Sequence, residues 1–271
     1  MVFYSQTTLA KGEAMSVKEP SSKRGSAGGS KLEVNEMPRG QRALEYAGIL
    51  AFASLAVLIA VETAFGASTF GYVWLVPILA VAAYLVADLT SGFVHFTLDN
   101  FGDDDTPFFD PYFIKPFRDH HVDPKGITRN DFVDTNGDNC LASLPPMILI
   151  WLFAPISTTS WGYFFGAFFL FLCLGIFLTN QFHKWAHMDS PPPLAAFLQR
   201  LGLILSKEHH DIHHESPYDT YYCITVGVWN PLFDCFDLFE RTERTIRRYV
   251  PGTHPELRSE RDGALNETRQ T

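Results

Sequence analysis

The chain has 271 residues, enough for one large domain or two small ones, and 46% of them are hydrophobic. A formal net charge of −9 argues against nucleic acid as the main partner, because gripping phosphate needs a basic footprint. Cys140, Cys173, Cys223 and Cys235 stand singly, without CxxC or zinc-finger spacing, so neither a disulfide framework nor a thiolate metal site is indicated.

Residues 1–42 are rich in Ser, Gly, Lys and Glu and read as a disordered tail, and 251–271 read as a second polar tail. The first tail has acidic residues and no early apolar run, which supports neither a secretory nor a transit signal. Four apolar stretches follow, at about 43–66, 71–96, 141–156 and 161–183. The first, second and fourth reach the ~20 residues needed to cross a ~30 Å hydrocarbon core. The third is short, carries Pro145 and Pro146, and reads as a marginal span, tilted or re-entrant. A helix of a soluble bundle would show a polar stripe, and LVPILAVAAYLV and FFGAFFLFLCLGIFL show none.

Basic residues alternate between the loops. Arg39 and Arg42 precede the first stretch, and Lys115, Arg118, Lys125 and Arg129 lie between the second and third. Lys184, Arg200, Lys207 and the run Arg241, Arg244, Arg247 and Arg248 follow the fourth. The two remaining loops have no Lys or Arg, which predicts both termini on the cytoplasmic side. Residues 191–205 read as an amphipathic helix along the membrane surface. The apolar stretch 220–240 is broken by Gly227 and Pro231, and is expected to cover a site or dip into the bilayer.

Nine of the ten histidines fall in four groups, all predicted at or just inside the cytoplasmic face. His95 ends the second stretch with Asp99 four residues on, and at roughly 100° per residue Asp88 shares their stripe. His120 and His121 follow in PFRDHHVDP, and His183 and His187 form HxxxH. His209, His210, His213 and His214 lie in KEHHDIHHESP, within roughly a 140° arc if a helix continues through them. Each group alone has a bland reading: an interfacial histidine, a solvated pair, a chance HxxxH. Together they predict a metal site. An i,i+4 pair chelates one ion, and HxxHH offers ligands to two. Imidazole suits iron, zinc and copper, and the number present exceeds the four ligands of one zinc. HKWAH has Lys where the zinc-peptidase motif HExxH needs its general base.

Asp99 is the best carboxylate as a ligand or as an acceptor for a ligand's N–H. Asp88 lies inside an apolar span, where an ionisable group is either functional or a helix-packing acceptor. Asp123 lies close to the histidine pair of the loop, and Asn180, three residues before His183, is placed to hold a metal-bound water. The polar run ITRNDFVDTNGDNC reads as turns and caps supporting the site. A non-catalytic metal-binding membrane protein, such as a transporter, would spread ionisable residues across the midplane, where here only Asp88 approaches.

ADLTSGFVHFTLDNFG, PFRDHHVDPKGITRNDFVDTNGDNC, TNQFHKWAH and KEHHDIHHESPYDTYYCITVGVWN together resemble the plasmanylethanolamine desaturase family over roughly 43–240. The resemblance implies an all-α membrane bundle of about four spans with a cytoplasmic histidine-rich cap for two metals, a single domain over 43–250. Its histidine boxes are 183–187 and 210–214, and its first box is HxxxD, His95 and Asp99. It further implies two iron ions, O2, and electrons from cytochrome b5 or a ferredoxin-type donor. The expected reaction turns the 1-O-alkyl chain of an ether phospholipid into the vinyl ether of a plasmalogen. The membrane would be the endoplasmic reticulum in a eukaryote and the inner membrane in a bacterium. A plastid branch of similar sequence desaturates an acyl chain, so acyl desaturation or hydroxylation stays open. The basic run 241–248 reads as attraction to anionic lipid or as a dock for an acidic donor.

Overall fold

The computed structural model of the protein describes residues 39–102, 114–216 and 218–249, and within them every side chain but that of Lys115. Both predicted tails lie outside the described residues, except that 39–42 form the first turn of a helix. In chain order the helices are α1 (Arg39–Phe70), α2 (Val76–Asn100), α3 (Lys115–Val122), α4 (Phe132–Phe153), α5 (Ser160–Ala186), α6 (Pro193–Arg200), α7 (Lys207–Asp211), α8 (Asn230–Cys235) and α9 (Leu238–Tyr249). No strand occurs among the described residues. α1, α2 with the turn before it, and α5 are long and apolar enough to cross a membrane. They leave large apolar side chains bare, among them Leu50, Val57, Phe65, Val81 and Phe165. So continuous an apolar surface suits hydrocarbon rather than water.

α4 begins nine residues before the apolar stretch that predicted it. Asp131 accepts from the backbone N–H groups of Val133 (2.9 Å) and Asp134 (3.0 Å), and Asp134 accepts in return from Asp131 N–H. This capping box starts the helix in residues that read as turns and caps. Arg42 of α1 pairs with both carboxylates. Helix α4 then runs for 22 residues through Pro145 and Pro146.

α1 packs against α4 and α5, and α5 against α2. Phe52, Ile59, Cys140, Met147, Ile156, Leu170 and Cys173 form the core of the first three. Small residues set the other contact: a Cβ at Gly175 would lie 2.7 Å from the Ala87 Cβ, so only glycine lets α2 and α5 approach this closely. That approach brings the last turns of α2 and α5 side by side, and both end in histidines.

The predicted surface helix at 191–205 is helical only over Pro193–Arg200, after which the chain turns at Gly202 (φ +66°). The segment from 218 to 229 has no regular structure and lies along α2 as a strap, its residues Tyr222, Cys223, Ile224 and Thr225 buried. Gly92 makes room for it, since a Cβ there would meet the Cys223 Sγ at 2.4 Å. Side chains of the helices satisfy the strap's backbone, as buried irregular backbone requires. Ser91 Oγ accepts from Ile224 N–H (3.0 Å), and the strap's own Trp229 indole donates to the Leu85 carbonyl (2.8 Å). Beyond it, Arg247 of α9 pairs with Glu243 (2.8 Å) and donates to the Asn100 carbonyl at the end of α2 (3.0 Å). One arginine of the basic run is therefore part of the fold, while Arg241 and Arg244 stay exposed beside Asp237 and Glu240.

Candidate metal centre

Four helix ends converge. His120 on α3, His183 on α5, His187 just past it, His210 on α7 and His214 in the following turn form one group, with ligand atoms all within 4.8 Å of one another. His95 and Asp99 on α2, His121 on α3 and His213 form a second group to the same tolerance. Helical spacing does the local work, since His95 and Asp99, His183 and His187, and His210 and His214 are each four residues apart. His213 lies between His210 and His214 in sequence and turns the other way, so HxxHH feeds both groups. His120 and His121 divide likewise. The rings of His95 and His183 lie 6.2 Å apart, so the groups adjoin.

In the first group the Nε2 atoms form a chain: His187 to His183 3.1 Å, His183 to His210 2.8 Å, and His210 to His214 3.1 Å. A neutral imidazole nitrogen has one proton or one lone pair, so it can serve one such contact. His183 and His210 each face two. His120 Nε2 is buried and makes no hydrogen bond among the described residues. A cation among these atoms would take every lone pair at once. Protonation is no alternative. Burial, and then the neighbouring histidines, lower the pKa of His120, His210 and His214, and burial followed by Lys207 lowers that of His187 to about 3. The rings are held neutral, which is the form that binds metal.

In the second group Asp99 Oδ2 lies 3.0 Å from His121 Nε2, 3.3 Å from His95 Nε2 and 3.5 Å from His213 Nε2. The strap fixes two of these rings. His95 Nδ1–H donates to the Tyr222 carbonyl (3.1 Å) and His213 Nδ1–H to the Thr220 carbonyl (2.7 Å). A carbonyl only accepts, so in each ring the proton sits on Nδ1 and Nε2 offers its lone pair beside the carboxylate. Lone pairs facing a buried carboxylate repel unless a cation lies among them. Three imidazoles with one carboxylate, next to five imidazoles, suit a first-row transition metal such as iron.

The other predicted residues lie elsewhere. His209 belongs to neither group. Its Nε2 faces Asn230 Nδ2 at 3.1 Å and its ring stands 5.0 Å from that of Tyr221. Asp88 Oδ1 accepts from three strap N–H groups and holds backbone, not a ligand. Exposed Asp123 ends α3 and pairs with Arg129. Asn180 is half-buried on α5, outside both groups. Conversely, the sequence gives no sign of the Thr220 and Tyr222 carbonyls, because backbone acceptors carry no side-chain signature. Asn230, which ties Cys223 by two bonds, was not singled out in the sequence either. Replacing His209 by alanine should leave metal uptake unchanged and activity within about tenfold of wild type, since one peripheral hydrogen bond is worth about 1 kcal/mol. Metal analysis of the purified variant checks this.

The family described as "Lipid desaturase domain" matches residues 84–257. Plasmanylethanolamine desaturase of Myxococcus xanthus is 47% identical over 208 residues, 76% of this chain and 72% of that protein. Plasmanylethanolamine desaturase 1 of Mus musculus is 42% identical over 171 residues, 62% of this chain and 63% of that protein. Chloroplastic fatty acid desaturase 4 of Arabidopsis thaliana is 36% identical over 164 residues, 60% and 49% of the two chains. No solved structure matches. Because the family match runs from within α2 past the end of α9, and so spans every residue of both groups, this chain belongs to the lipid desaturase family and is a multi-pass membrane oxidoreductase.

Proposed function

We propose that the two groups hold a pair of iron ions, and that the protein is an O2-dependent desaturase converting the 1-O-alkyl chain of plasmanylethanolamine to the vinyl ether of plasmenylethanolamine. One observation carries this reading: eight histidines and Asp99 converge at the ends of two membrane-crossing helices, in a chain most of whose length is shared with proteins named for that reaction. When bound, iron supplies the reduction of O2 that removes two hydrogens from adjacent carbons. Overall, O2 takes two electrons and two protons from the lipid and two of each from a donor and solvent, leaving one C=C bond and two waters. Cytochrome b5 or a ferredoxin-type protein is the external donor.

The chain's own residues bind and orient. α2 and α5 set the histidines at the edge of the hydrocarbon, where carbons next to the ether oxygen lie below the headgroup. Burial of His95, His121, His183, His187, His210 and His213 keeps bulk water from the reacting carbons. The alternation of Lys and Arg supports both termini and the site on the cytoplasmic side, with α4 as a fourth span. Residues 43–250 would then be one domain between two polar tails, in the endoplasmic reticulum of a eukaryote or the inner membrane of a bacterium.

A second reading, desaturation of an acyl chain, is favoured by the likeness to the Arabidopsis enzyme, whose identity to this chain is lower than that of the plasmanyl pair. The test is lipid mass spectrometry. The chain is expressed in cells lacking plasmalogens and fed a 1-O-alkyl glycerol. An acid-labile product two mass units below its precursor is expected. Its absence from cells whose expressed protein carries iron would overturn the ether-lipid reading in favour of acyl products.

A further inference from the structure

We infer that Asp88 is a positioning residue for the His95/His213 half of the centre, acting through the strap rather than through either metal group. The inference rests on the two-ion reading above. Asp88 lies within the spanning helix α2, fully buried, nearly two turns before His95. Its Oδ1 accepts from the backbone N–H of Thr225 (3.1 Å), Val226 (2.8 Å) and Gly227 (2.8 Å). Three consecutive amides closing on one oxygen form an anion nest, and a nest fixes the direction of the chain that makes it. Gly227 at φ +76° lets that chain close, and a Cβ there would meet His209 Nε2 at 2.4 Å.

The clamped residues lead straight to the ligands. Three residues before Thr225 is Tyr222, whose carbonyl receives His95 Nδ1–H, and two before that is Thr220, whose carbonyl receives His213 Nδ1–H. Among the described residues no comparable strap carbonyl meets the five-histidine group, whose members hang on α3, on α5 and its C-terminal end, on α7 and on the turn that follows. Loosening the clamp therefore misaligns one half of the centre. Losing such an outer partner costs about 10- to 100-fold in metal affinity.

The test is iron stoichiometry of purified full-length protein in detergent, after equilibration with iron(II) buffered at the lowest free concentration that fills the wild type. Asp88→Ala should drop the content from two ions per chain to one, and adding His187→Ala should remove the remaining ion. Asp88→Asn keeps an acceptor oxygen for the three amides and should restore most of the second ion, a rescue that loss of charge alone would not allow. If Asp88→Ala does not fold, Asp88→Glu serves. It keeps the charge but pushes the acceptor outward by one methylene, and should also lose one ion. Two ions retained in both Asp88→Ala and Asp88→Glu would overturn the inference, as would equal loss from both groups in a folded variant. Fewer than two ions in the wild type would instead overturn the two-ion reading.

Discussion

Replacing His210 by alanine should reduce desaturation by more than about 100-fold while leaving the protein in the membrane, because on the proposed two-ion reading it removes a ligand, and removing even an outer partner of a ligand costs about 10- to 100-fold. His210 is central to its group. It is 1% exposed, its Nε2 lies 2.8 Å from that of His183 and 3.1 Å from that of His214, and its backbone N–H closes on the Ser206 carbonyl at the start of α7. The substitution leaves four histidines of the group without their common neighbour. Insertion does not depend on it, since the apolar faces of α1, α2 and α5 drive that step and His210 lies on none of them. Three measurements separate the outcomes. Iron per chain should fall by half, elution from gel filtration in detergent should not change, and product should vanish from the lipid extract. Turnover within tenfold of wild type would remove His210 from the ligand set.

Much of the candidate site was legible because two of its pairs, His95 with Asp99 and His183 with His187, stand at helical spacing on or at the end of a helix. An apolar run ending in His95 and Asp99, or in His183 and His187, fixes which way both side chains of each pair point once the run is read as a helix. Reading stopped where the helix stopped. The arc that gathered His209 with His210, His213 and His214 assumed a continuous helix, but α7 ends at Asp211 and His209 points instead at Asn230. The run before 141 read as turns and caps, but not as the first turns of α4. A search by apolar content passes over Asp131, Asp134 and Asp138, yet the first two are what begin the helix. Asp88 was visible as an ionisable group where one is costly, but its partners were not, since they are backbone amides 137–139 residues away. Side-chain chemistry is written in sequence; the backbone's part in a site appears only when the chain is folded.

Asp99→Asn should have opposite effects on the metal-free and metal-loaded protein. In the wild type, Asp99 Oδ2 faces His121 Nε2 at 3.0 Å, and the Nε2 lone pairs of His95 and His213 at 3.3 and 3.5 Å. Those two lone pairs are fixed, because the Nδ1 of each ring is committed to a strap carbonyl. An asparagine amide placed there donates where the carboxylate could only accept. Without metal, the variant exchanges the His121 hydrogen bond to Oδ2 for up to two N–H···N bonds, each worth about 1 kcal/mol, and is rid of the repulsion. Its melting temperature in chelator should rise above that of the wild type by several degrees, given about 2–4 °C per kcal/mol for a chain of this size. With iron the sign reverses. A neutral amide is a poorer ligand than a carboxylate and its N–H groups block the lone pairs, so the second ion is lost. Added iron then stabilises the variant less than the wild type, since stabilisation by a ligand follows its affinity for the native state. Desaturation should fall as far as in His210→Ala, because each half of the centre is needed. A variant less stable than wild type in chelator, yet still binding two ions, would mean that Asp99 is held by contacts other than the three histidines and is no ligand.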